Sequence, residues 1–240
     1  GIAIRRDGGL GSSVRVSLNG LANDQIRFFL DGIPLEFSGY LFGIANVPVN
    51  LIERVEIYRG VVPVRFGADA LGGAVNLVSD QEVEGTHASA SYQGGSFGTH
   101  RLTVSGHTLH EPTGFLADVA AFLDSAENDY PIDVEVPDDR GRLSPARVYR
   151  FHDAYRAMGV NAEVGFVDRP WARRLILRGF VTNYEKELQS NVVMTVPYGA
   201  VTYGELATGA TLRYDNIFRD DIKVGVIGGY TYTTTEFSDQ

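Results

Sequence analysis

Two textures of hydrophobic and polar positions divide the chain. From about residue 87 onward, long segments alternate residue by residue. In 222–234 (IKVGVIGGYTYTT), Ile222, Val224, Val226, Tyr230 and Tyr232 share one side, and Lys223, Gly225, Gly229, Thr231 and Thr233 share the other. In 205–215, Leu206, Ala210, Leu212 and Tyr214 oppose Gly209, Thr211, Arg213 and Asp215. Val160, Ala162, Val164 and Phe166 likewise oppose Asn161, Glu163 and Gly165. This is the period of a β-strand with unlike faces. With 87–93, 100–107, 115–124 and 172–184, the pattern predicts about seven strands. An apolar face backed by a polar one is what lipid outside and water inside require of a barrel wall. A soluble sandwich also has one apolar face, but long strands carrying glycine and charge favour the membrane barrel. Tyr230 and Tyr232 fall late in their strand, where an aromatic girdle would lie.

The connections sharpen this. HEPTG, DRPW and FRDD are short, whereas 127–148 and 186–203 read as long loops. Short and long connections alternate in an outer-membrane barrel, with periplasmic turns at one end and extracellular loops at the other. GGSFG (94–98) is short where the pattern wants an outer loop.

The first third of the chain has shorter elements and more punctuation. SVRVSL (13–18) is a brief alternating strand. IRFFL and IPLEF flank Asp31-Gly32, and Asp-Gly between apolar runs is a strong hairpin signal because both turn positions take positive φ. Residues 39–50 are loop-like and aromatic. In ERVEIY, Val55 and Ile57 point one way and Arg54, Glu56 and Tyr58 the other, which predicts a strand with one covered face. Arg59-Gly60 ends it, RFGADALGG supplies Gly67, Gly72 and Gly73 where the backbone must turn or approach closely, and AVNLVS, containing Asn76, reads as a short buried strand. The polar stretch 79–85 is the natural boundary. The expected organisation is a domain over 1–80 and a strand series over 81–240.

These motifs together resemble a known family. IRFFLDGIPL, ERVEIYRG and VPVRFGADALGGAVNLVS, in that order, are similar to the plug of TonB-dependent outer-membrane receptors, most strongly over residues 14–80. The resemblance implies a mainly β fold: a small α+β plug followed by the first antiparallel strands of a large transmembrane barrel, here truncated. It implies a bacterial outer-membrane location in the lipid bilayer. It implies binding of a scarce extracellular solute, such as a ferric siderophore, haem, cobalamin or saccharide, and import driven by the TonB energy-coupling protein. The segment that meets TonB is expected ahead of Gly1. In the family, plug arginines meet barrel glutamates and lock the plug. Arg59 matches one such position, while Asn19 stands where the other arginine is expected, with Glu53, Arg54 and Glu56 as neighbouring charges. Tyr40 and Phe42 are the candidate solute contacts at a plug apex. Two other classes stay open: a plugged barrel used for signalling or partner docking, and a soluble β-rich module for carbohydrate.

Composition narrows the field further. With 240 residues and 44% hydrophobic side chains the chain is not disordered, and with no cysteine it does not rely on disulfides. A formal net charge of −9 argues against a nucleic-acid binder. No apolar run approaches the roughly 18 residues of a spanning helix. Enzyme chemistry finds no footing. GGSFG matches the G-x-S-x-G nucleophile elbow, but a strand pattern follows Ser96 where a helix is needed. His107 and His110 lie three apart and would face opposite ways on a strand, so they make no metal pair. The acids Asp129, Asp133, Glu135, Asp138 and Asp139 are followed by Arg140, Arg142, Arg147 and Arg150, so pairing within the loop competes with cation binding. No cofactor or metal ligand set is expected.

Overall fold

The computed structural model describes residues 2–6, 8–12, 14–22, 25–38, 44, 47, 52–60, 62–63, 66, 72–79, 85–138, 140–190, 197–219 and 222–239. The candidates Tyr40, Phe42 and Gly67 lie outside the described residues.

Two small sheets come first. β1 (Ile2–Arg6), β2 (Val14–Leu18) and β3 (Leu21–Ala22) form an antiparallel ribbon. The second sheet has the order β5-β4-β7-β6, from β4 (Ile26–Leu30), β5 (Ile33–Pro34), β6 (Ile52–Tyr58) and β7 (Gly73–Ser79). Asp31 and Gly32 take φ of 53° and 80° between β4 and β5, both positive as a tight primed turn demands. The hairpin is shorter than the sequence pattern suggests: after Ile33–Pro34 the chain enters a 3-10 turn over Leu35–Phe37, which buries Leu35. β7 lies between β4, its parallel neighbour, and β6, its antiparallel one. Central strands covered on both faces read as continuous apolar runs, and β7 is buried along Gly73–Leu77.

In β6 the structure decides which face is covered. Its covered side is the polar one, with Glu56 and Tyr58 half-buried, while Val55 and Ile57 are 52% and 39% exposed. The reason is local. Glu56 is held to Asn76 of β7, Tyr58 packs on the buried Phe66 of the β6–β7 connection, and β6 is an edge strand with nothing described beyond it. No α-helix occurs among the described residues.

The remainder is a seven-stranded antiparallel sheet: β8 (Gly85–Gly95), β9 (Thr99–His110), β10 (Phe115–Ala126), β13 (Tyr155–Arg169), β14 (Ala172–Ser190), β15 (Pro197–Phe218) and β16 (Ile222–Ser238). Each strand pairs with the next, except that the hairpin β11 (Pro131–Pro137) and β12 (Leu143–Tyr149) stands apart between β10 and β13. The long connections are therefore more regular than the sequence suggested. Residues 127–148 contain this hairpin, and most of 186–203 extends β14 and β15 as a paired ribbon. Alternating β-formers such as Val134, Val136 and Val201 satisfy their backbone groups by pairing even where turn-like residues surround them.

Register keeps the faces consistent around the sheet. Val119, Leu123, Met158, Leu177 and Tyr230 are exposed on the outer face. Near the short-turn end, Phe115, Phe166 and Trp171 form an aromatic string with centroids 5.9 and 5.7 Å apart. On the inner face, Phe122, Tyr155 and Ala157 join Leu18, Ile26, Leu30, Leu35, Val75 and Leu77 in one buried cluster. Plug and wall thus share a core. No helix of the described residues is long and apolar enough to cross a membrane, which leaves strands free to do so.

Candidate functional site

The site is built on the Asp31-Gly32 turn. Because the turn ends β4 beside β7, the Asp31 carboxylate accepts from Ser79 N–H at 2.9 Å and from the Ser79 hydroxyl at 2.8 Å. The Asp31 N–H donates to Leu77 O at 2.8 Å, and the Gly32 N–H to Asn76 Oδ1 at 2.9 Å. Asn76 then donates through Nδ2 to Glu56 Oε2 at 3.0 Å, which also accepts from Tyr58 OH at 2.8 Å. The Asn76 hydrogen bond, then that of Tyr58, holds the Glu56 carboxyl below its ordinary pKa, because both donors favour the charged form. Asp31, Gly32, Glu56 and Asn76, which the sequence places far apart, are therefore one connected network.

That network meets the barrel wall through arginines. Arg178 of β14 donates from Nη2 to Asp31 Oδ2 at 3.0 Å and also pairs with Glu163 of β13. Side-chain exposures are 5% for Arg178, 7% for Asp31 and 12% for Glu163, so the three charges are withdrawn from water together. Arg213 of β15 donates to the Asp31 carbonyl at 2.7 Å and is itself held by Asp215 at 2.5 Å. Nearby, the Thr231 hydroxyl reaches Glu36 O at 3.4 Å. Two wall strands thus grip the Asp31 turn, and a third touches the 3-10 turn that follows it. In a low-dielectric setting such a cluster is costly to break on one side only, since an unpaired buried charge remains.

The other predicted residues behave differently. Arg54 lies on the surface, with Nη1 2.9 Å from Glu53 Oε2 and Nε 3.4 Å from Glu56 Oε1. Arg59 is exposed and makes no ion pair among the described residues, and Gly60 turns the chain with φ of 79° in open space. Gly72 donates its N–H to Gln25 O at 2.7 Å. Gly73, at φ 134°, lies so close to Tyr58 O that a Cβ would stand 2.5 Å from it. Asn19 is exposed, with φ of 52°. Where the resemblance implies plug arginine against barrel glutamate, the contact in these strands has the opposite polarity: plug aspartate against barrel arginine.

Sequence reasoning left Arg178, Glu163 and Arg213 as ordinary lumen-face residues. The one signal for them was charge on a polar face in the middle of a strand. A second buried cluster went unnoticed. Asp153 lies 2.7 Å from both Arg150 Nε and Lys186 Nζ, and Asn128 Nδ2 donates to Asp153 O and to Leu10 O, each at 2.9 Å. It ties the root of the β11–β12 hairpin to the segment ahead of β2. In the acidic stretch itself, Asp138 accepts the backbone N–H groups of Arg140 and Arg142, so the aspartate builds the turn. Ser96 sits in the β8–β9 turn, where Phe97 and Gly98 take φ of 60° and 64°. No group of three or more His, Cys, Asp or Glu side chains among the described residues is placed to hold a metal ion.

Comparison with known proteins agrees with this architecture. Residues 1–74 match the family model of the TonB-dependent Receptor Plug Domain. Over 122 residues the chain is 29% identical to the vitamin B12 transporter BtuB of Vibrio vulnificus (strain CMCP6), covering 48% of this chain and 20% of that protein. Among solved structures it is similar to the pyoverdine outer membrane receptor FpvA of Pseudomonas aeruginosa PAO1, with TM-score 0.66, 14% identity, and coverage of 99% of this chain and 34% of the receptor. It is also similar to the siderophore receptor PiuA of Acinetobacter baumannii, with TM-score 0.63, 15% identity, and coverage of 98% and 33%. The chain spans about a third of those receptors and a fifth of the B12 transporter. At such identities the solved structures speak for the fold alone, and all three relatives are receptors or transporters, none an enzyme. A plug-domain match over residues 1–74, followed by an antiparallel wall with the fold of solved outer-membrane receptors, makes the chain similar to the TonB-dependent receptors of the bacterial outer membrane.

Proposed function

We propose that the protein containing this chain takes up a scarce extracellular solute across the outer membrane, using work delivered by TonB. The observation that carries this reading is the docking of Asp31 on Arg178 and Arg213 inside the sheet. A barrel wide enough for a large solute leaks unless a folded domain fills it, and a domain held by buried ion pairs moves only when work is done on it. We place the plug within residues 1–80 and the barrel within 81–240, and assign Asp31, Gly32, Glu56 and Asn76 to plug docking rather than to solute contact. Among the named relatives, one transports vitamin B12 and others receive siderophores. A metal chelate or cobalamin is accordingly the solute class we favour over haem and saccharides. Extracellular contacts would come from plug apices and from the β11–β12 hairpin, since loops on a rigid scaffold carry recognition.

The test uses the full-length protein expressed with its own signal. Outer-membrane fractionation and heat-modifiable migration on a gel are expected. Growth limited by iron or cobalamin should then be restored by one solute of that class, and only in cells with a functional TonB. A soluble protein without a migration shift overturns the reading, as does restoration that persists without TonB.

A further inference from the structure

On the outer face of β13 every second residue from Phe166 back to Met158, through Val164, Ala162 and Val160, is apolar and exposed. At about 3.4 Å per residue this stretch runs about 27 Å along a tilted strand, close to the roughly 25 Å height of a barrel's lipid-facing band. The next outward position is Arg156, which therefore stands at the edge of the band, at the end of the β11–β12 hairpin and away from the short turns. At that level the register lines up donors on three neighbouring strands: His100 of β9 lies opposite Ser125 of β10, and Ser125 opposite Arg156. One step into the band, Leu102 lies opposite Leu123, and Leu123 opposite Met158. Together with Tyr92 and Glu185 these side chains line an outward-facing groove of about 460 Å³. The Tyr92 hydroxyl is 2.7 Å from His100 Nδ1, and the two rings stack with centroids 6.1 Å apart, which gives the groove a firm wall on the β8 side. Among the described residues neither the Arg156 guanidinium nor the Ser125 hydroxyl has a hydrogen-bond or ion-pair partner.

We propose that this groove holds a phosphorylated glycolipid of the membrane's outer leaflet, with a phosphate on Arg156, Ser125 and His100 and an acyl chain on Leu102, Leu123 and Met158. A guanidinium and a hydroxyl without partners, beside an imidazole, form a donor set for an anion, and arginine–phosphate contacts are among the stronger hydrogen bonds. Opposed residues on antiparallel strands have Cβ atoms about 4.5–5.5 Å apart, so the donors of neighbouring strands reach one phosphate between them. The apolar floor lies two residues along each strand, about 6.8 Å toward the membrane centre, which is the order of headgroup and chain in a lipid of that leaflet. Leu102, Leu123 and Met158 are 38%, 54% and 53% exposed, and the flexible Met158 adapts to a chain lying on it. Glu185 lies opposite Arg156 on its other side, and its carboxylate repels a phosphate toward Ser125 and His100. A peptide fits less well, because β9, β10 and β13 are each paired on both sides and offer no free backbone edge to a partner strand. The inference rests on the wall lying in the outer membrane and is independent of which solute is imported.

The full-length protein, stripped of lipid in a mild detergent, is followed by native mass spectrometry as lipid A, the bisphosphorylated glucosamine lipid, or its dephosphorylated form is added. Lipid A is expected to bind about tenfold or more tightly than the dephosphorylated form, as a charge-assisted contact to phosphate implies. Arg156→Ala should weaken lipid A by that factor and abolish the preference for phosphate. Ser125→Ala should weaken it less, and Leu123→Ser should weaken both lipids alike. Arg173→Ala, which removes an exposed arginine near the short-turn end of β14, should leave binding unchanged. Heat-modifiable migration certifies each variant as a folded barrel, and Arg156→Gln replaces Arg156→Ala should the latter fail this check. Equal binding of the two lipids by the parent overturns the proposal, as does lipid A binding that survives loss of the Arg156 charge. A heat-modifiable parent that binds no lipid A, or that covers this face with a second copy of itself, also overturns it while leaving the outer-membrane placement of the wall intact.

Discussion

The plug and the wall are both β-structures, yet they keep order by opposite means. The wall repeats one device: alternating side chains, continuous registers and a lipid-facing apolar side. The plug relies on single residues that do one thing each. Asp31 ties Ser79 and Arg178, Asn76 bridges Gly32 to Glu56, and Gly73 lets β7 pass under Tyr58. A repeated device tolerates the loss of one member, since most substitutions away from special sites are worth within about 0.5 kcal/mol. A device made of unique residues does not. Losses should therefore be large at the plug's docking turn and small along the lipid-facing strand positions.

The largest effect is expected where the two regions meet. Arg178→Ala leaves Asp31 and Glu163 as buried carboxylates without their shared guanidinium, and breaking one side of a buried pair costs about 3–5 kcal/mol. Hydrogen exchange of the β4 and β7 amides in the full-length protein should accelerate strongly, while the barrel still shows heat-modifiable migration. A triple variant with Arg178→Met, Asp31→Asn and Glu163→Gln should recover much of that protection, since neutral groups of similar volume remove the stranded charges. Protection lost equally in both variants would mean that packing, not charge, holds the turn.

Next come the two glycines, which separate conformational demand from space. Gly32 at φ 80° has nothing within 4 Å of a would-be Cβ. Gly32→Val therefore carries only the left-handed penalty, roughly 1–2 kcal/mol. Gly73 at φ 134° lies in a region open essentially to glycine alone, and its Cβ would also meet Tyr58 O at 2.5 Å and Leu18 Cδ1 at 2.9 Å. Gly73→Ala adds a backbone collision to strain of about 1–3 kcal/mol and should exceed Gly32→Val despite its smaller side chain. Thermal unfolding of the plug, followed in the folded barrel, ranks the two. The reverse order would remove close approach as the reason for Gly73.

The same contrast explains what could be read in the sequence. The wall strands were legible because each carries the period-2 signal many times over, as at Val160–Phe166 and Ile222–Tyr232. The ribbon extensions of β14 and β15 were not, because beyond the apolar band there is no lipid to enforce alternation and Lys186, Glu187 and Tyr203 read as loop. In the plug, Asp31-Gly32 announced its turn through backbone chemistry. The covered side of β6 was not legible, because alternation names two faces without naming the buried one, and Glu56 and Tyr58 are covered through hydrogen bonds that only tertiary structure supplies. Arg178 and Glu163 stayed anonymous for the same reason: a charge on the lumen face acquires its role from the plug turn set against it, 147 residues away in the case of Asp31.

A milder pH effect is expected within the plug. Glu56 has its carboxyl pKa lowered in the folded protein by Asn76 and Tyr58. A lowered folded value means stability that is present above the unfolded carboxylate pKa and is lost as pH falls through the folded one. Amide protection in β6 should therefore decline as pH falls through and below the ordinary carboxylate range, by the equivalent of one charge-assisted hydrogen bond, about 1.5–3 kcal/mol at most and less where water reaches the group. Glu56→Gln should flatten that decline. A decline of unchanged depth in Glu56→Gln would assign the acid sensitivity to other carboxylates.

The smallest effect is expected at Arg59, and it bears most directly on how the plug is held. Family resemblance makes this residue half of a plug lock, yet it is exposed and pairs with none of the described residues, whereas Asp31 meets two wall arginines. An exposed arginine without a partner should cost within about 0.5 kcal/mol on truncation. Arg59→Ala is thus expected to leave plug hydrogen exchange close to that of the parent protein while Arg178→Ala transforms it. Should Arg59→Ala loosen the plug as much as Arg178→Ala, a glutamate on strands outside this chain would be the partner, and the plug would be gripped from two sides of the barrel. The difference between the two variants therefore measures how unevenly the wall holds its plug. A plug gripped on one side would swing from the Asp31 turn, and a plug gripped on both would have to unfold or leave as a unit.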